Sequence, residues 1–196
     1  MKNIFLCVLL VSTFVVSGCS SMSLASMYKM MSFDPLEVEP SEVVVAVQVP
    51  VGIVINNNDV VIKFNVKADD PNYSFEHEYF VNVNEKYELP DELKQKNKVN
   101  SNIFILQLNK NDALEMRHDQ DVVKDYKKNS ITGTINMSVN VNSACKNSDF
   151  SSENSELNVY LKLNNRDDFF AFMEDVNVFE LERNESGYYK PISFCS

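Results

Sequence analysis

Period-two alternation of apolar side chains, repeated in segment after segment, constrains this chain more than any other feature. Val43, Val45, Val47 and Val49 alternate with Val44, Ala46, Gln48 and Pro50. Val60, Ile62, Phe64 and Val66 stand against Val61, Lys63, Asn65 and Lys67. After a turn at Asp69-Asp70-Pro71-Asn72 the same rhythm returns in Phe75, His77, Tyr79, Val81 and Val83. Successive side chains of a strand point to opposite faces, so these three segments read as strands with one buried face each. The clearest run is Ile131, Gly133, Ile135, Met137, Val139 and Val141, with Thr, Asn and Ser between them. Leu157, Val159, Leu161 and Leu163 mark another strand. Ile103 to Leu108 is apolar in both phases, which predicts a central strand covered on both sides.

Helical spacing is rarer. Asp112 to Lys128 is the best helix, with Ala113, Met116, Gln120, Val123 and Tyr126 on one face and Asp112 with Glu115 as a capping box. Phe169, Phe172, Met173 and Val176 predict a short helix over Asp167 to Asp175. Glu85 to Asn97, charged and carrying Pro90, reads as a loop with one helical turn. A last strand near Val178 to Arg183 and a tail through Tyr188-Tyr189 to Cys195 complete the chain. Some seven strands without a strand–helix rhythm or an internal repeat predict a mainly β fold over residues 41–196. The expected form is a single antiparallel β-sandwich or open barrel with one or two inserted helices.

The first eighteen residues follow different rules. Lys2 gives a positive start, Ile4 to Val16 is apolar apart from Ser12 and Thr13, and small Ser17 and Gly18 precede Cys19. That is the layout of a secretory signal peptide, short for a membrane span. The competing use is an uncleaved N-terminal helix, against which stands the lack of a basic run after the apolar stretch. Val16-Ser17-Gly18-Cys19 resembles the lipobox of bacterial lipoproteins: aliphatic, small, Gly or Ala, then Cys. The resemblance implies cleavage between Gly18 and Cys19, diacylglyceration of the Cys19 thiol and acylation of the new amino terminus, palmitate being a usual chain. Several acyl chains hold a bilayer stably where one is marginal. Ser20 replaces the family's inner-membrane retention residue, Asp. By that analogy, in a Gram-negative host, the protein belongs to the cell envelope, on the periplasmic face of the outer membrane. Phe33-Asp34-Pro35-Leu36, followed by a Val-rich strand ending in Pro50, also resembles uncharacterised envelope lipoproteins, a likeness that implies no activity.

Residues 19–40 then form the lipidated N-terminus and a short tether. Leu24, Met27, Tyr28 and Met31 share one face of a short helix between Ser23 and Asp34-Pro35. With a single Lys and no basic face, that stripe is expected on the protein's own domain more than on the bilayer.

Removing residues 1–18 leaves 178 of 196 residues, enough for one domain with a real core. The net charge of −10 falls to about −11 once Lys2 is lost, which disfavours nucleic acid and anionic headgroups as partners. Of the four cysteines, Cys7 leaves with the signal and Cys19 goes to lipid. Cys145 and Cys195 remain for one bridge in an oxidising compartment, two free thiols or an intermolecular bond. A bridge would close some 50 residues, worth roughly 4 kcal/mol in the chain-entropy model.

No constellation of catalytic residues stands out. In Glu76-His77-Glu78 the histidine points away from both glutamates and shares its row with Phe75 and Tyr79, so a core or semi-buried imidazole is expected. His118 lies in the polar helical run Arg117 to Asp121, with Glu115 and Asp121 at i−3 and i+3 placed to support it as a surface charge pair. Two histidines isolated from cysteine make a zinc site improbable, and Asp119 with Asp121 lacks the glycine and terminal glutamate of a calcium loop. The carboxylate pairs Asp69-Asp70, Asp167-Asp168 and Glu174-Asp175 read as turn and capping chemistry. With four glycines in all, no phosphate loop, dinucleotide fingerprint or Gly-x-Ser-x-Gly elbow is present. Neither a cofactor nor an enzymatic activity is therefore expected. The expected class is a lipid-anchored interaction or structural module with an envelope protein as partner. The alternative is a carrier holding a small apolar ligand or lipid between its β faces.

Overall fold

In the computed structural model the described residues are 28–29, 32–97, 100–153, 155–180 and 192–195. The fold is mainly β: an antiparallel seven-stranded sheet curls into a half-barrel, with two helices among the described residues. In chain order the strands are β1 (Val44–Pro50), β2 (Ile53–Val54), β3 (Val60–Ala68), β4 (Phe75–Val83), β5 (Ser101–Leu108), β6 (Gly133–Val141), β7 (Cys145–Lys146), β8 (Glu156–Lys162), β9 (Phe170–Asn177) and β10 (Ser193–Phe194). The helices are α1 (Asp91–Lys96) and α2 (Lys110–Lys128). The large sheet runs β6-β3-β4-β5-β1-β8-β9, which puts β5 at its centre as its two-sided apolarity requires. A small sheet, β10-β7-β2, closes one end.

The concave face carries the main core. Val45, Val47 and Val49 of β1, Val60, Ile62 and Phe64 of β3, Tyr79 and Val81 of β4 and Leu106 of β5 are buried there against Met116 and Val123 of α2. Each such aliphatic or aromatic side chain contributes about 1.5–3 kcal/mol on burial. Leu36 and Val38 belong to this core, so the chain is already part of the folded body before β1 begins. Gln120 of α2 holds that segment by donating from Nε2 to the carbonyls of Pro35 (2.8 Å) and Val38 (3.0 Å).

On the convex face, β1 departs from the one-buried-face expectation. All seven of its residues are buried. Val44 and Ala46 pack in a second cluster with Ile105, Tyr160, Phe169 and Leu93 of α1. The loop expected between β4 and β5 thus folds back as a lid over the strands from β5 to β9. That lid is tied down by a buried polar network centred on Gln48. Its Nε2 donates to Lys96 O (3.1 Å) and Ser101 Oγ (2.9 Å), while its Oε1 accepts from Asn158 Nδ2 (3.0 Å) and Tyr160 OH (3.2 Å). Asn158 Oδ1 in turn accepts the Asp175 N–H (2.7 Å). Every member has partners, the condition on which a buried polar network stabilises.

Three local expectations are corrected. The helix predicted over Asp167–Asp175 is the edge strand β9. Register shifts against β8 between Leu157 and Tyr160 mark a bulge, and Asp175 takes a φ of 56°. Each shift adds one residue to β9, so Phe172, Met173 and Val176 reach the main core at uneven spacings while Phe169 packs on the convex face; together they mimic helical spacing on an extended backbone. Helix α2 starts before Asp112. Asn109, leaving β5 in an extended conformation, accepts from the N–H groups of Asn111 (2.9 Å) and Asp112 (3.0 Å), so the cap is Asn109 and not the Asp112–Glu115 box. The Asp112 carboxylate accepts from Asn109 Nδ2 (2.9 Å) and Phe80 N (3.2 Å), joining the first turn of α2 to β4. Finally, Val178–Glu180 is a 3₁₀ turn where a last strand toward Arg183 was expected, and 181–183 lie outside the described residues.

Candidate functional site

The half-barrel brings together one constellation that strand arithmetic alone separates. The inward row of β4 runs Phe75, His77, Tyr79, Val81, from the rim of the sheet into the core. Helix α2 crosses that row and presents Asp119, which lies on its buried stripe with Met116, Gln120 and Val123. His77 Nδ1 donates to Asp119 Oδ2 at 2.5 Å, and the Tyr79 hydroxyl donates to the same oxygen. The Asp119 side chain is 7% exposed and that of His77 46%, so a buried carboxylate orients a half-exposed imidazole. Phe75 and Tyr79 flank the ring, with centroids 5.1 Å and 6.5 Å away.

Burial pushes the Tyr79 hydroxyl well above the usual phenol range. The hydrogen bond to Asp119 and the negative charges of Asp119, Glu115 and Asp112 act in the same direction. Tyr79 is therefore a permanent donor, and Asp119 an acceptor with two partners. Chemically the arrangement can fix an imidazole tautomer with Nε2 outward, the second half of a general-base pair. The row around the ring is aromatic, and among the described residues no hydroxyl or thiol nucleophile is hydrogen-bonded to it. Its clearest effect is mechanical: it latches α2 onto β4 through two bonds to one buried oxygen.

His77 thus keeps its predicted row but stands at the solvent rim and not in the core. Asp119, read from sequence as part of a polar helical run, is the residue that reasoning missed. The signal was present, since Asp119 is three residues after Met116 and four before Val123 and so on the same face. His118 is exposed. Of the carboxylate pairs, Asp70 accepts from Asn72 N (3.0 Å) and Asp167 from Asn164 Nδ2 (2.5 Å) in local turns, while Asp69 accepts from Thr132 Oγ1 across the end of the β3–β6 ladder. Among the described residues no three His, Cys, Asp or Glu side chains are grouped to hold a metal ion.

Cys145 and Cys195 are joined in a disulfide, with Cα atoms 4.9 Å apart. β10 pairs parallel with β7 beside the bond, and Cys195 N donates to Lys146 O (2.9 Å), which ties the C-terminal end to the small sheet. Gly18, Cys19 and the stripe residues Leu24, Met27 and Met31 lie outside the described residues.

Two open clefts flank the entering segment. One, of about 420 Å³, lies between Glu39, Gln107, Leu114 and Arg117, with Arg117 ion-paired to Glu39. The other, of about 380 Å³, is bordered by Lys29, Glu37, Glu42, Asp167 and Phe170. Both are rimmed by charge, whereas the space left between the sheet and the C-terminal end of α2, bordered by Val66, Val123, Tyr126 and Ile135, is about 30 Å³. Among the described residues no helix is long and apolar enough to cross a membrane. No family model, curated protein or solved structure matches this chain.

Proposed function

We propose that this chain is an envelope lipoprotein, anchored through Cys19 and facing the periplasm, that works as an interaction module close to the bilayer. The observation that carries the reading is how soon after Cys19 the folded body begins. The Lys29 ammonium sits 5.3 Å from the centroid of Phe170 in β9, and Leu36 and Val38 are in the core. Ten Cα steps from Cys19 to Lys29 span at most about 35 Å, so lipid on Cys19 would hold the half-barrel near the membrane whatever path the intervening chain takes. The space of about 30 Å³ between the sheet and α2, on the scale of a single water, supports docking over carriage of an apolar ligand. The acidic border of the second cleft supports a protein partner over an anionic lipid surface, which would repel it.

Affinity capture of the tagged chain from detergent-solubilised envelopes after brief cross-linking tests the reading. A second polypeptide in near-stoichiometric amount is expected, and much less of it with Cys19→Ala. Recovery of the chain alone would overturn the module reading.

A further inference from the structure

The large sheet has two edges, β6 and β9, and they are built differently. β9 carries the bulge, the left-handed Asp175 and the adjacent acids Glu174 and Asp175, all devices that discourage a further strand from pairing. β6 has none of them. Its nine residues, Gly-Thr-Ile-Asn-Met-Ser-Val-Asn-Val, hold no charge and no proline and pair with β3 in unbroken register. Among the described residues no strand pairs with its outer edge.

The register shows which groups that edge presents. Asp69 N donates to Thr132 O (3.0 Å) and Asn142 N to Asp59 O (2.8 Å), at the two ends of the β3–β6 ladder. Hydrogen-bonded pairs alternate along an antiparallel ladder, so the even-numbered residues of β6 bond to β3. The N–H and C=O groups of Ile135, Met137, Val139 and Val141 therefore point outward, while their side chains face the core.

We propose that this edge pairs with the β6 edge of a second copy of the chain, antiparallel about a two-fold axis at Met137. In that register Ile135 faces Val139 of the second copy and Met137 faces its own counterpart. Each of these pairs exchanges both of its outward N–H···O=C bonds. The apolar rows of the two copies become continuous on the core side. On the solvent side Thr134 meets Asn140 and Asn136 meets Ser138, neutral hydrogen-bonding pairs of the kind that stabilise facing strands. The occupant is a second copy because the sequence is self-complementary in this register. The chain carries −10 overall, yet the contact brings no β6 charge against another. Self-pairing at β6 is independent of the module reading, whose partner is a different polypeptide bound elsewhere; self-pairing and capture of that partner are separate measurements.

The test uses copies of the mature chain bearing single cysteines, Asn136→Cys and Ser138→Cys, co-expressed with different tags, purified in detergent and mildly oxidised. Directly opposed positions bridge readily, whereas 136 with 136, or 138 with 138, is a diagonal pair about 7–8 Å apart, so the mixed sample should show at least about tenfold more disulfide-linked dimer than either variant alone. Sedimentation of the wild type should give a dimer. The double variant Asn136→Lys/Ser138→Lys, with an unchanged circular dichroism spectrum, should give a monomer. Equal or absent cross-linking in the three oxidised samples, or a wild type that sediments as a monomer, would overturn the proposal. So would β6 amides as protected from exchange in the Lys variant as in the wild type, which would place a segment of the same chain on the edge.

Discussion

Replacing Tyr79 by Phe removes one hydroxyl and almost no volume, and its effect should depend on pH in a specific way. At pH 7 the wild-type hydroxyl donates to the buried Asp119 carboxylate from a side chain 1% exposed. Losing a hydrogen bond to a charged acceptor costs about 1.5–3 kcal/mol, and Asp119 keeps only His77 among these two donors. The folded-state pKa of Tyr79 is raised, chiefly by burial, so folding favours its protonated form. The sign follows directly. Below the unfolded phenol value near 10 both states keep the proton and the stabilisation is complete. Above it the unfolded chain loses the proton while the folded one retains it, and stability falls by about 1.4 kcal/mol per pH unit for this one group. Urea unfolding of both proteins at intervals from pH 7 to pH 11.5 should show a constant gap up to about pH 10, then a gap that closes over the next one to two units as the wild type weakens. Other tyrosines and lysines titrate in both proteins and cancel in the difference. A gap that stays constant to pH 11.5 would refute the view that Tyr79 is held protonated by burial and Asp119.

Leu36→Ala should cost about 2–5 kcal/mol, as expected for a fully buried leucine. Glu37→Ala beside it, 74% exposed and 3.4 Å from Lys124, should stay within about 0.5 kcal/mol. Equal, small effects in equilibrium unfolding would mean that this segment is tether and not core. Converting both Cys145 and Cys195 to Ser should lower stability by roughly 4 kcal/mol, given the separation of 50 residues, read as a lower urea midpoint. An unchanged midpoint would contradict the staple.

What the sequence made legible follows from how local each determinant is. Period two placed β3, β4, β6 and β8 because one face of each needs only a core to point at. Ile103–Leu108, apolar in both phases, was rightly central. β1 was harder: Gln48 and Pro50 lent it a polar phase, and nothing nearby in sequence says that α1 and Tyr160 cover Val44 and Ala46. β9 was misread because two one-residue register shifts break its period two, and Phe169, from the opposite face, completes an apparent helical spacing. The His77–Asp119 contact spans 42 residues and depends on the path of α2 over β4, which no pattern within either element encodes. Asn109 capped the helix in place of Asp112 because β5 ends in an extended residue that aims its side chain back at the first turn.

The role proposed for this fold stands on the anchor, and intact-mass spectrometry of the protein purified from membranes addresses that directly. The expected species begins at Cys19, comprises residues 19–196 and carries added acyl mass on its first residue, with the Cys19→Ala variant unprocessed and without that mass. A wild-type chain that retains residues 1–18, or that is cut elsewhere and bears no lipid, would contradict it.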